Sequence, residues 1–197
     1  MTLPVVEVFH SVQAEGHWVG TNAYFIRLAG CDIGCSWCDT KVSWNEKHHP
    51  PRSIATLVAG ALAANPQFVV LTGGEPLIHD LTALTRMLHA AGLSIHLETS
   101  GAYPLRGRFD WITLSPKRNR PPQPSIYALA NELKVVVAEP ADLDWATQQA
   151  QQVPGEVLKF LQPEWYTEDS NQLVFNHVLE QPQWRISLQT HKYLGIR

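Results

Sequence analysis

Residues 23–40 read Ala23-Tyr24-Phe25-Ile26-Arg27-Leu28-Ala29-Gly30-Cys31-Asp32-Ile33-Gly34-Cys35-Ser36-Trp37-Cys38-Asp39-Thr40. The first seven are mostly apolar and aromatic, which predicts a strand. Gly30 then hands the chain to a loop that holds every cysteine of the protein. An odd, tightly clustered set makes a poor disulfide framework and points to metal binding or reactivity. Three residues separate Cys31 from Cys35 and two separate Cys35 from Cys38. Thiolates are soft ligands that favour iron–sulfur clusters and zinc. A loop of this pitch can present three thiolates to three corners of a cubane. The fourth iron then finds no cysteine in the chain and is open to an outside amine and carboxylate. A structural zinc site wants four protein ligands. The nearest histidines, His48 and His49, lie in a polar loop with no short, regular spacing from Cys38.

Outward from this loop, strands and helices alternate. A polar, His- and Pro-rich loop covers 41–52. Ser53 caps a helix with Ile54, Leu57, Val58, Ala61 and Leu62 on one face, and Asn65-Pro66 ends it. Residues 68–72 form a buried strand that stops at Gly73-Gly74. Asp80 caps a second helix with Leu81, Leu84 and Leu88 inward, and Gly92 terminates it. Strands are predicted at 94–98, 109–114, 132–137, 157–161 and 184–189, with helices near 142–151 and 168–180. This order predicts an α/β fold with a mostly parallel sheet covered by helices. In such sheets the ligand site lies at the carboxyl ends of the strands. Cys31–Cys38, Gly73–Pro76, Glu98–Gly101, Ser115–Lys117 and Gln162–Pro163 should therefore meet on one edge. The 197 residues fall short of a complete eight-unit barrel of about 250. A partial TIM-type (β/α) barrel, spanning 1–197 as one domain, is the expectation.

The formal net charge is −3 and no basic stripe is visible, which argues against an electrostatic nucleic-acid binder. One or two well-placed arginines would still suffice for a small anionic substrate. The N-terminus lacks a basic segment followed by a long apolar one, and no apolar run is long enough to span a bilayer. The expectation is a cytoplasmic protein, without nucleic-acid or membrane partners, whose thiols stay reduced.

The cysteine spacing, with an aromatic residue before the last cysteine, resembles the radical S-adenosylmethionine (SAM) superfamily. Gly73-Gly74-Glu75-Pro76, after the next strand, resembles the segment that meets the methionyl amino group there. The resemblance implies a 4Fe–4S cluster on Cys31, Cys35 and Cys38, the catalytic cysteines. It also implies a cofactor whose methionyl part chelates the open iron and whose cleavage makes a 5′-deoxyadenosyl radical.

A narrower resemblance covers nearly the whole chain. Val8-Phe9-His10-Ser11-Val12-Gln13-Ala14-Glu15-Gly16, Gly20, Phe25-Ile26-Arg27-Leu28 and Cys38-Asp39-Thr40 are similar to the 7-carboxy-7-deazaguanine synthase family. So are Glu98-Thr99-Ser100-Gly101, Ser115-Pro116-Lys117, Glu132-Leu133-Lys134 and Leu188-Gln189-Thr190-His191-Lys192. The family rearranges 6-carboxytetrahydropterin to 7-carboxy-7-deazaguanine with loss of ammonia, on the route to queuosine and related deazapurines. It is cytosolic and dimeric, with a trimmed barrel, and a flavodoxin-type electron donor is expected by analogy.

A pterin carries a guanidine-like edge of donors. Glu15 and the main-chain carbonyls of Val12, Gln13 and Ala14 offer matching acceptors. Arg27 alternates with Ile26 and Leu28, so it points opposite to them, into the barrel, where it can take the substrate carboxylate in a two-pronged contact. The resemblance further implies magnesium at Thr40, which suits an ion that keeps few protein ligands, and substrate contacts from Thr72 and His191. It places Trp37, Cys38 and Asp39 near the adenine and Gly73, Gly74 and Glu75 near the methionyl end. Ser115, Pro116, Lys117, Gln162, Pro163, Glu164 and Trp165 would meet the ribose and base. Glu98 and Lys134 are read as a buried pair. Two positions depart from the family. Ala14 stands where Gly is common, tolerable if its φ stays negative. The chain ends in Arg197 where some relatives end in Pro and use the terminal carboxylate on the substrate. Two alternatives stay open: a glycyl-radical activase acting on a protein, and a zinc-stabilised binding module.

Overall fold

The computed structural model describes all 197 residues. Nine strands form one open sheet: β1 (Thr2–Val12), β2 (Asn22–Leu28), β3 (Pro51–Ser53), β4 (Phe68–Gly73), β5 (Ile95–Thr99), β6 (Trp111–Leu114), β7 (Glu132–Val137), β8 (Leu158–Pro163) and β9 (Trp184–Ile186). Their order is β3-β1-β2-β4-β5-β6-β7-β8-β9. From β2 onward all neighbours pair parallel, while β1 runs antiparallel to β2 and β3. The sheet is mostly parallel and does not close on itself, as a partial barrel requires.

Four helices make the crossovers: α1 (Ile54–Ala64), α2 (Thr82–Ala90), α3 (Pro140–Ala150) and α4 (Ser170–Glu180). The step from β5 to β6 has no helix, and the step from β6 to β7 has only a 3-10 turn at Pro124–Leu129. These shortened connections explain how so many parallel strands fit a short chain. A fifth, short helix, α5 (Thr190–Leu194), follows β9.

Local signals behave as their chemistry dictates. The Ser53 hydroxyl accepts the Thr56 N–H and so caps α1, and Asn65 ends the helix in the left-handed region. Leu62, expected on the buried face of α1, is about half exposed. The buried stripe of Ile54, Leu57, Val58 and Ala61 is narrow, and Leu62 stands just outside it. The Asp80 carboxylate accepts the Thr82 N–H at 2.9 Å, while Leu81, Leu84 and Leu88 are fully buried. The 41–52 segment is not a plain loop. It folds 3-10 turns at Lys41–Ser43 and Glu46–His48 and supplies β3.

Period-two alternation splits each strand between two faces. Ile26, Leu28, Val69, Leu71, Leu97, Leu114, Leu133, Val135 and Leu161 join one core beneath the helices. The opposite, concave face carries two layers. Its floor is aromatic: Phe25 and Phe68 pack with Ala23 and Val70, His96 stacks on Phe68 with 3.7 Å between ring centroids, and Trp18 meets Phe68 and Trp111 edge-on. Above this floor the concave row turns polar.

Burial drives the His96 pKa down from 6.5 to about 4, with Asp110 pulling weakly the other way. Between those pH values the unfolded chain holds a proton that the folded chain refuses, so stability falls as pH drops from 6.5 toward 4. His96→Phe, which keeps the stack, is expected to remove this component, on the order of 1–2 kcal/mol. Urea midpoints at pH 7 and pH 4.5 would show the smaller acid loss in the variant.

Candidate active site

The carboxyl ends of the parallel strands surround a cavity of about 290 Å³. Its wall includes all three cysteines, Thr40, Arg27, Thr72, Gly73, Gly74, Glu98, Lys134, Gln162 and the C-terminal tail. Of the residues singled out from the sequence, only Pro116 does not line it.

The cysteine loop is fixed at both ends and across its middle. The Gly30 and Cys31 N–H groups donate to the carbonyls of Ser43 and Trp44, and the Cys38 N–H donates to the Cys35 carbonyl. From the loop after β6, the Asn119 amide donates to the Ile33 and Gly34 carbonyls at 3.3 and 3.1 Å. Tyr103 and Arg120 both donate to the Asp32 carboxylate. Burial pushes the Cys31 and Cys35 thiols up, so loading with iron must displace their protons.

Facing the loop is the Gly73-Gly74 turn. The Gly74 and Glu75 N–H groups donate to the Leu28 and Gly30 carbonyls. A Cβ on Gly74 would lie 2.3 Å from the Gly30 carbonyl oxygen and 2.8 Å from the Cys31 Cβ. The Glu75 carboxylate is buried and accepts four hydrogen bonds, from Leu77 N–H, Thr99 Oγ1, Ser100 N–H and Ser100 Oγ. It shapes the turn and has little capacity left for a ligand.

The polar row above the aromatic floor consists of Arg27, Thr72, Glu98, Thr113, Lys134 and Gln162, all on the cavity wall. The turn after β1 reaches across this concave face. Gln13 donates to Glu98 at 3.0 Å and its carbonyl oxygen Oε1 accepts the Ala14 and Glu15 N–H groups. Glu15 forms the ion pair with Lys134. The expected Glu98–Lys134 pair is therefore replaced: Glu98 receives Gln13 and Thr72, because the turn inserts Glu15 at the lysine. Burial alone would lower the Lys134 pKa, but Glu15, Glu98 and Glu132 together hold it above its ordinary value. Burial would raise Glu15, and Lys134 outweighs it and holds it low. Glu132, which accepts from Thr113 Oγ1 and the His17 N–H, is raised by burial.

Two carbonyls expected to face a ligand are already engaged. Gln13 O accepts the Gly20 N–H, and Ala14 O accepts both the N–H and the hydroxyl of Thr190. Ala14 keeps a negative φ, since Asn65 is the sole non-glycine residue with a positive one. Thr40 donates to Asp39 at 3.1 Å. Burial opposes ionisation of Asp39, but Lys192, Gln189 and Thr40 hold it below the usual range. Gln189 also donates to Glu15. Lys117 donates to the Ser115 carbonyl and hydroxyl at 2.7 and 2.6 Å, lies 5.3 Å from the Trp37 ring centre, and is pushed by burial down to about 8. Burial also lowers His191, against the pull of Glu15. Glu7 was not singled out from sequence, and Gln189 and Lys192 were quoted only within the tail motif, without a role. Glu7 follows from the alternation of β1 once that strand is recognised, whereas Gln189 and Lys192 carry no local signal.

The family model of the radical SAM superfamily matches residues 25–116, the stretch from Arg27 through the cysteine loop to Ser115. A 7-carboxy-7-deazaguanine synthase of Synechocystis sp. is 56% identical over all of this chain and 95% of its own length. The chain belongs to the 7-carboxy-7-deazaguanine synthase family. The synthase of Flavobacterium psychrophilum is 47% identical over 98% of this chain and 92% of its own. The crystal structure of QueE from Escherichia coli aligns with a TM-score of 0.85 and 32% identity, covering 95% of this chain and 94% of that one.

Membership of this radical SAM family implies a 4Fe–4S cluster and SAM as cofactors. The donor set suits the cluster. No three His, Cys, Asp or Glu side chains converge tightly enough to hold a single metal ion, yet three thiols stand on one cavity wall. A cubane takes one thiolate per iron, so its cysteines need not converge on one ion, and the bare Gly74 backbone leaves room beside Cys31. No helix is long and apolar enough to cross a membrane.

Proposed function

We propose that the protein converts 6-carboxy-5,6,7,8-tetrahydropterin to 7-carboxy-7-deazaguanine with release of ammonia, as a radical SAM carbon–nitrogen lyase in queuosine and 7-deazapurine biosynthesis. The observation that carries this reading is the single cavity joining three thiols to an arginine and a carboxylate across a pterin-sized space. When bound, the cluster and cofactor supply a carbon-centred radical able to take a hydrogen atom from the substrate. The chain's own residues bind and orient. Arg27 spends its Nε on Glu7, so its two free Nη groups meet the substrate carboxylate end-on. Glu15, held ionised by Lys134, accepts from the amino edge of the pterin. Thr72 and Gln13 fix Glu98 beside it.

Thr40 would hold magnesium, an ion that keeps few protein ligands. Trp37 and Asp39, with Ser115, Lys117 and the 162–165 segment, take the nucleoside part of the cofactor, and Gly73-Gly74 takes the methionyl amine. The family resemblance supports a one-domain homodimer fed by a flavodoxin-type donor. Three free cysteines suit the reducing cytoplasm.

Anaerobic incubation of cluster-loaded protein with 6-carboxytetrahydropterin, SAM, dithionite and magnesium tests the reading by mass spectrometry. The expected product is lighter than the substrate by one ammonia. Arg27→Ala is expected to lower kcat/KM by about 10- to 150-fold, the loss of one charge-assisted bond of about 1.5–3 kcal/mol. Formation of 5′-deoxyadenosine without that product would mean a different substrate, such as the protein substrate of a glycyl-radical activase.

A further inference from the structure

On β1 the alternate residues Glu7, Phe9 and Ser11 share the concave face beside β2. Each has a partner there. Glu7 Oε1 accepts from Arg27 Nε at 3.0 Å, and Phe9 stacks on Phe25 at 4.8 Å. The Ser11 hydroxyl donates to the carbonyl of Arg197. The last residue of the chain thus lies along β1, and its guanidinium turns back to Glu7, with Nη1 3.3 Å from Oε2. One carboxylate therefore bridges two arginines, and both line the cavity. Glu7 thereby holds the two guanidiniums side by side on the cavity wall.

We infer that the Arg197 side chain, bridged by Glu7 to Arg27, is a second recognition element for the substrate carboxylate and determines specificity for a carboxylated pterin. The inference rests on the pterin reading above. The Arg197 side chain is 75% exposed, so its pair with Glu7 adds little to folding. Its natural readout is the ligand. Arg27, with Nε fixed by Glu7, offers its Nη pair from one side, and Arg197 closes from the tail.

The test uses cluster-loaded protein with SAM and no reductant, titrated with 6-carboxypterin and with pterin and followed by pterin fluorescence. The wild type is expected to prefer the carboxylated compound. Arg197→Ala should cut that preference about tenfold while leaving the Kd for plain pterin unchanged, and Arg197→Lys, which keeps charge but not the fork, should fall between. A preference unaltered in Arg197→Ala overturns the inference while the pterin reading stands. An equal loss for both ligands makes Arg197 a general structural element and overturns it too. A wild type that binds neither pterin brings down the pterin reading and the inference together.

Discussion

Replacing Lys134 with methionine is expected to destabilise the protein by about 3–5 kcal/mol at neutral pH and by much less in acid. Lys134 is buried, with 7% of its side chain exposed, and faces Glu15 directly and Glu98 and Glu132 nearby. Methionine fills the space but leaves these carboxylates without their cation in a poorly solvated interior. Removing one member of a buried pair is costly because the survivor keeps its desolvation penalty. In the native protein the Glu15 pKa lies below its unfolded value of 4.5. Its contribution to stability is present above about pH 4.5 and is lost as pH falls through the depressed folded value. In the variant the carboxylates bind protons more tightly when folded, so the deficit is full at pH 7 and shrinks toward pH 4.5. Urea unfolding of both proteins at the two pH values measures this. The double variant Lys134→Met with Glu15→Gln should recover part of the loss, because the remaining groups are then fewer and neutral at Glu15.

Such a charge cluster can be partly seen in the sequence. Glu132 and Lys134 stand two apart in an otherwise apolar run, and period two puts both on one face. That face had to be either solvent or a lined interior. A mostly parallel sheet is normally covered on both faces, so charges on one face mark a lined cavity. What could not be read is which carboxylate meets the lysine. Glu15 comes from 119 positions away on a turn whose path beneath the strands depends on Trp18 packing between Phe68 and Trp111. No local preference encodes that crossing.

The parallel strands and four crossover helices were legible because each is an apolar run or stripe bounded by Gly, Pro, Asn or a capping hydroxyl. β1 was missed because Glu7-Val8-Phe9-His10-Ser11-Val12 does not alternate polar with apolar residues. Its register rests on antiparallel pairing with β2, and a regularity at Val5–Glu7 is broken by a bulge there. β3 is three residues long and owes its extended form to Leu3 and Pro4 across from it, not to its own Pro-Arg-Ser. The concave polar row is visible residue by residue, but the tail contacts are not. Gln189 and Lys192 reach Asp39 only because the chain doubles back after β9. The partners of Glu75 were hidden as well. Its position in Gly-Gly-Glu-Pro suggests a ligand contact, yet the end of β5 supplies enough donors to saturate it.

That saturation carries the second large effect. Glu75→Ala is expected to cost about 2–6 kcal/mol from the two stranded backbone N–H groups alone, those of Leu77 and Ser100, at about 1–3 kcal/mol each. The Thr99 and Ser100 hydroxyls can rotate toward other acceptors, but the backbone donors cannot. A cavity in a packed site adds to the loss. Against a typical total of about 5–15 kcal/mol, much of the protein should be unfolded at 37 °C, seen as a lower denaturant midpoint. Glu75→Gln keeps the volume and one acceptor but turns an amide NH2 toward donors, so an intermediate loss is expected. The brace also has a functional consequence. Glu75 ties the glycine turn to the end of β5, and this tie keeps the Gly74 backbone pressed against Gly30 and Cys31, too close for a Cβ. If the brace slackens, the turn withdraws from the edge where the proposed function seats the methionyl amine. In Glu75→Gln, SAM KM should rise together with the fall in midpoint, while 6-carboxypterin affinity stays unchanged because Arg27 stands on β2 and Glu15 on the turn after β1. A carboxylate that touched the cofactor directly would give the opposite pattern, a raised KM at an unchanged midpoint.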